Sequence, residues 1–105
     1  MGWVLLTIAG LLEIVWAYAM KQSAGFSKPG PTVVTIIAMI ASFSLLSIAM
    51  RTLPLGTAYP VWTGIGAVGA FVLGVVVLGE GASAVRIGGA VLIVAGLVLM
   101  KVAEG

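Results

Sequence analysis

Neither cysteine nor histidine occurs in the 105 residues. Their absence excludes disulfides, thiolate metal sites and every catalytic arrangement built on imidazole. Acids are nearly as scarce: Glu13, Glu80 and Glu104 are the only three, too few for a metal-ligand cluster, and neither a P-loop nor a dinucleotide-binding fingerprint is present. The chain is therefore expected to be no enzyme and to need no cofactor or metal. Charged residues amount to 8% of the sequence and hydrophobic ones to 62%, with a mean hydropathy of +1.30. Such a chain has too little polar surface to cover a small soluble domain. It reads instead as an integral membrane protein. The five basic residues are scattered, without the patch or aromatic interleaving that nucleic acid would require.

What is present is apolar length. Four segments, at about 3–21, 32–50, 56–78 and 85–103, are each long enough to span a bilayer as a helix, giving an all-α membrane protein with one four-helix transmembrane domain over 1–105. Gly25, Pro29, Gly30 and Pro31 mark a loop after the first segment, and Pro54-Leu55-Gly56 a turn after the second. Ala17-Tyr18-Ala19 resembles a signal-peptide cleavage site. No Lys or Arg precedes the run, however, and an acid interrupts it, so a retained first helix is expected.

That acid is Glu13, the only one inside an apolar segment. It stands roughly 15 Å along the helix from Trp3, near the middle of a hydrocarbon layer about 30 Å thick. A carboxylate at that depth costs at least about 2.5 kcal/mol and normally faces a cavity or a partner. Lys21, Lys28, Arg51, Arg86 and Lys101 all fall at segment ends or between segments, so none can neutralise it at mid-depth. Two stabilising states remain: a proton taken up, or a cation held from outside. A site that alternates between them is a proton-coupled cation carrier. A permanently protonated Glu13 bonded to a neighbouring helix is the structural alternative.

Loop charges give almost no orientation signal. Lys21, Lys28 and Arg86 share one side, while Arg51, Lys101 and the amino terminus share the other. The near balance predicts insertion in both orientations, with a single orientation set by finer features as the alternative. Four helices are also too few to surround a translocation path, and no internal repeat is present. An antiparallel pair of chains would supply the inverted repeat found within larger transporters, with Glu13 of both copies near the midplane.

Around Glu13, Trp16 lies three residues on and shares its helix face, and Gly10, one turn earlier, keeps that face open. Tyr59 and Trp62 repeat the spacing on segment three. An acid among such rings suits a cation, because ring faces attract it and an indole N–H or phenol O–H can orient the carboxylate. Trp3, at the segment edge, fits an interfacial belt instead; Tyr59 fits either role. Ser42, near mid-depth, either serves Glu13 or a ligand, or bonds its own backbone or a neighbouring helix. Gly66, Ala70 and Gly74 form a close-packing row. Gly88/Gly89 and Ala95/Gly96 form another on segment four, assigned to dimer contact with packing inside the protomer as the alternative. Pro60, which leaves the Gly56 carbonyl unbonded, together with Gly64 and Gly66 suggests a bend in segment three that flexes between two open states or is static. Glu80 and Glu104 lie outside the spans and read as solvated.

Over nearly its full length the chain resembles the small multidrug resistance family, and within it the guanidinium exporter subtype. The matching stretches are Gly10-Leu11-Leu12-Glu13-Ile14-Val15-Trp16-Ala17, Lys21 through Gly25-Phe26, Leu53-Pro54-Leu55-Gly56-Thr57-Ala58-Tyr59, Trp62-Thr63-Gly64-Ile65-Gly66 and Leu92-Ile93-Val94-Ala95-Gly96. The resemblance implies a multi-pass protein of the bacterial plasma membrane, assembled as an antiparallel dual-topology homodimer or, in some relatives, a heterodimer with a paralogue. It implies exchange of a cation for protons by alternating access, both competing for the paired Glu13 carboxylates, with Trp16, Ser42, Tyr59, Trp62 and Thr63 completing the site. Trp16 carries the subtype, since quaternary-ammonium exporters of the family have a small residue there. An indole narrows the cavity and can hold Glu13 by a hydrogen bond. Guanidinium can donate two parallel hydrogen bonds to one carboxylate, which a tetra-alkyl ammonium cannot. Pro60 departs from the subtype, which commonly has Ala there. Export of quaternary ammonium or other hydrophobic cations remains the alternative, and a passive channel or a non-transporting accessory subunit the more remote ones.

Overall fold

The computed structural model describes residues 2–104, the Glu104 side chain excepted, so that the amino terminus and the solvated placement expected of Glu104 lie outside the described residues. Four helices make up the fold: α1 (Gly2–Gln22), α2 (Pro29–Ala49), α3 (Leu55–Val76) and α4 (Ala84–Glu104). All four are long and apolar enough to cross a membrane, and the described residues contain no strand.

α2 begins earlier than the breakers suggest. Pro29, Gly30 and Pro31 form its first turn rather than a loop, and the helix ends at Ala49. A proline costs nothing at the start of a helix, where its missing N–H would have had no partner. The chain reverses between α1 and α2 through Ala24, Gly25 and Phe26, all at positive φ. The buried Ser23 holds this turn by donating to the Met20 carbonyl at 2.6 Å and accepting the Phe26 amide at 3.0 Å. At the other boundary Ser83 caps α4, its Oγ accepting the Arg86 amide at 3.1 Å.

α1 packs against both α2 and α3, whereas the α4 backbone lies beside α3 alone. The core is small and apolar: Leu6 and Ala9 of α1, Leu46 and Ala49 of α2, Leu53 between helices, and Ala58, Val61 and Trp62 of α3. Alanines and glycines let the backbones approach, as helix association in lipid requires. The α1–α3 seam shows this best. Ile65 lies against Gly10, Glu13 against Gly66 and Ile14 against Gly69. The residue numbers rise together on both helices, so α1 and α3 run in the same direction.

One polar chain crosses this core. Trp62 Nε1 of α3 donates to Ser42 Oγ of α2 at 3.0 Å, and Ser42 Oγ donates to the Ala9 carbonyl of α1 at 2.7 Å. Of the two roles open to Ser42, the structure therefore uses it to join helices. Each edge of the bundle carries its own charges. Lys101 stands over the Trp3 ring at 4.9 Å on one edge, and on the other Arg86 stands over Phe71 at 5.0 Å. Replacing Ser42 by Ala strands the Trp62 N–H in an apolar core. Ser42→Ala is expected to lower stability by about 1–2 kcal/mol, read as a shift of the unfolding midpoint in detergent.

Candidate functional site

Glu13 lies beside Leu12, the midpoint of α1. Its Ala9 neighbour, one turn earlier, is the carbonyl that receives Ser42, so the three-helix hydrogen-bond chain fixes the turn of α1 from which Glu13 projects. The carboxyl turns toward α3 and rests on Gly66. A Cβ built on Gly66 would stand 2.7 Å from Glu13 Cγ and closer still to the carboxyl carbon and Oε1. Only a glycine leaves this seat free.

Glu13 Oε1 is buried and has no hydrogen-bond partner among the described residues; the same holds for Trp16 Nε1. The basic residues stand well away from it: Lys21 in the last turn of α1, Lys28 before α2, Arg51 in the turn after α2, and Arg86 and Lys101 in the end turns of α4. A donor and an acceptor left open together at the centre of a membrane protein are costly. Here both belong to the one face of α1 that carries an acid.

Four rings line up from α1 across α2 to α3. Trp16 meets Phe43 edge-on with centroids 6.2 Å apart, Phe43 lies 5.6 Å from Trp62, and Trp62 lies 5.6 Å from Tyr59. Trp62 is buried, while Phe43 and Tyr59 are about half exposed at 46% and 52%. The rings form a wall that is open along part of its length. Phe43 is absent from the sequence reading. It has no aromatic neighbour at helical spacing, and its position next to Ser42 at mid-depth was the only signal available.

Several expectations change in detail. Neither indole orients Glu13 within the protomer: Trp62 gives its N–H to Ser42, and Trp16 gives its own to no described group. Gly10 leaves no opening, because the Ile65 side chain occupies the space, 2.6 Å from where a Cβ would stand. α3 remains one α-helix through Pro60, which is exposed. Gly64 is packed under Leu97 of α4 and Gly66 under Glu13, so both glycines serve as seats for side chains. Thr63 is exposed. Glu80 is exposed, as expected, and its carboxyl lies over Gly74, where a Cβ would stand 2.6 Å from Oε1. On α4, Gly89, Ala95 and Gly96 are exposed, and a Cβ added at Gly88, Gly89 or Gly96 would meet nothing within 4 Å.

Comparison with known proteins agrees with this architecture. The sequence profile of the family described as Small Multidrug Resistance protein matches residues 1–93. A protein of Yersinia pseudotuberculosis serotype I (strain IP32953) named guanidinium exporter is 55% identical over 104 residues, covering 99% of this chain and all of the relative. Proteins of the same name from Escherichia coli (strain K12) and Citrobacter freundii are 54% and 56% identical over 101 residues, 96% of each chain. With its four membrane-spanning helices and a match over nearly its whole length, the chain is a multi-pass membrane protein that belongs to the Small Multidrug Resistance protein family.

Proposed function

We propose that this protein exports guanidinium and small guanidinyl cations in exchange for protons, by alternating access, and that protons and substrate compete for Glu13. One observation carries the reading: the mid-membrane Glu13 keeps a buried oxygen with no partner among the described residues. An acid so placed is stable only when it is protonated or holds a cation, and one that does each in turn couples the two flows. Guanidinium suits the site chemically. It donates two parallel hydrogen bonds to a single carboxylate, and the planar ion can lie against the faces of Trp16 and Trp62. The relatives named guanidinium exporters, at about 55% identity, support the same substrate class. The open side of the ring wall at Tyr59, with Thr63 nearby in sequence, is where a substituent would extend.

The working unit in this reading is an antiparallel homodimer. Among the described residues α4 carries none that is buried in the protomer, and its Gly88, Gly89 and Gly96 face open space, which supports the assignment of this helix to contact between copies. Inversion leaves a mid-helix residue near the midplane, so two Glu13 side chains share one cavity and titrate as a coupled pair.

Glu13→Gln keeps the shape and removes the charge. It is expected to weaken guanidinium binding by about 3 kcal/mol or more, over a hundredfold, and to abolish proton-coupled uptake into vesicles while the dimer still assembles; uptake retained in this variant overturns the reading. Gly66→Ala places a methyl group on the seat of Glu13. Binding is expected to fall about tenfold with helix content unchanged, measured by quenching of tryptophan fluorescence.

A further inference from the structure

The α1–α3 seam continues beyond Glu13 toward the edge of the bundle that carries Lys21 and Glu80. On α3 the small residues Gly66, Ala70 and Gly74 succeed one another at single turns, and on α1 Ala17 and Lys21 follow Glu13 at the same interval. Each outer glycine of the row carries a carboxyl, Glu13 on Gly66 and Glu80 on Gly74. Glu80 is held there by its own backbone, whose amide donates to the Gly74 carbonyl at 2.9 Å. Beside Glu80 lies a cavity of about 140 Å³ lined by Ala17, Tyr18, Lys21, Ala70, Gly74 and Glu80, among others. Its inner wall, at Ala17 and Ala70, is one helical turn, about 6 Å, from Glu13 and Gly66.

We infer that this cavity is the aqueous proton entrance to Glu13, with Glu80 at its mouth, distinct from the ring wall that takes the organic cation. The inference rests on the proton-coupled reading of Glu13 and adds the route. The space exceeds many times the roughly 10–15 Å³ that one water needs, and Tyr18, Lys21 and Glu80 supply the polar partners that ordered water requires. Lys21 in the same wall disfavours residence of an organic cation by like-charge repulsion, whereas hydrogen-bonded water relays a proton without a cation coming to rest. In the inward step a proton from the water outside passes along the hydrogen-bonded cavity water, which Glu80 anchors at the mouth, to the Glu13 carboxylate as the cation departs. The charged and titratable groups facing Glu80 are Tyr18 and Lys21 of α1. Arg86 of α4 is turned to the Gly81 carbonyl and the Phe71 ring.

Two fluxes separate this route from a structural role. The full chain in proteoliposomes is assayed for proton flux driven by a guanidinium gradient, and for exchange of labelled against unlabelled guanidinium at equal pH, which needs no proton. Glu80→Gln is expected to slow the proton-coupled flux at least about tenfold and to hold the cation exchange within about twofold of the unaltered protein. Gly74→Ala, whose methyl group displaces the Glu80 carboxyl, is expected to show the same split. Equal loss of both fluxes in the two variants, or no loss of proton flux in either, overturns the inference while leaving the role of Glu13 intact. Absence of proton flux in the unaltered protein overturns the coupled reading itself, and this route with it.

Discussion

The hydrogen-bond chain from Trp62 through Ser42 to the Ala9 carbonyl is the constraint on which the rest of the bundle depends. In an apolar surrounding the hydrophobic effect does little to choose one helix register over another, since lipid tails accept Leu and Ile as readily as a neighbouring helix does. Polar groups do choose, because each one left unbonded there is costly. This chain draws one group from each of α1, α2 and α3 and settles how they are rotated. Its α1 end lies one turn before Glu13, so the same contact that holds the bundle also aims the acid. It spends the Ser42 donor and the Trp62 N–H on structure, leaving Glu13 Oε1 and Trp16 Nε1 as buried atoms without a partner among the described residues.

The glycines of α3 complete that division. Gly64 admits Leu97, Gly66 admits Glu13, Gly69 admits Ile14 and Gly74 admits Glu80. Each would be a weak point in a soluble helix, yet in this seam each is the space another side chain needs. The acid thus rests on a glycine of α3, and Trp16, three residues on along α1, begins the row of rings that crosses α2 to α3.

Much of this was legible in the sequence, for reasons that differ by element. Helix count followed from apolar length alone, which bilayer thickness dictates. The candidacy of Glu13 followed from depth and from the lack of any base able to reach it, and that of Trp16 from its three-residue spacing. The partners across helices were not legible. All four spans are apolar on every side, so periodicity does not say which face of α1 meets which glycine of α3, and the seats of Glu13, Ile14 and Glu80 appear only in three dimensions. Ser42 and Phe43 illustrate the same limit: one had several open partners and the other had none in its own helix. The start of α2 moved to Pro29 because proline is a breaker inside a helix and a normal opening residue at its first turn.

The central claim is that Glu13 holds either a proton or the cation, never both. It is tested most directly by adding guanidinium to the purified protein in weakly buffered detergent and recording the pH. The account predicts that protons are released as the cation binds, that release vanishes at a pH high enough for Glu13 to be already ionised, and that Glu13→Gln releases none. Saturable guanidinium binding with no proton release across the pH range would contradict it.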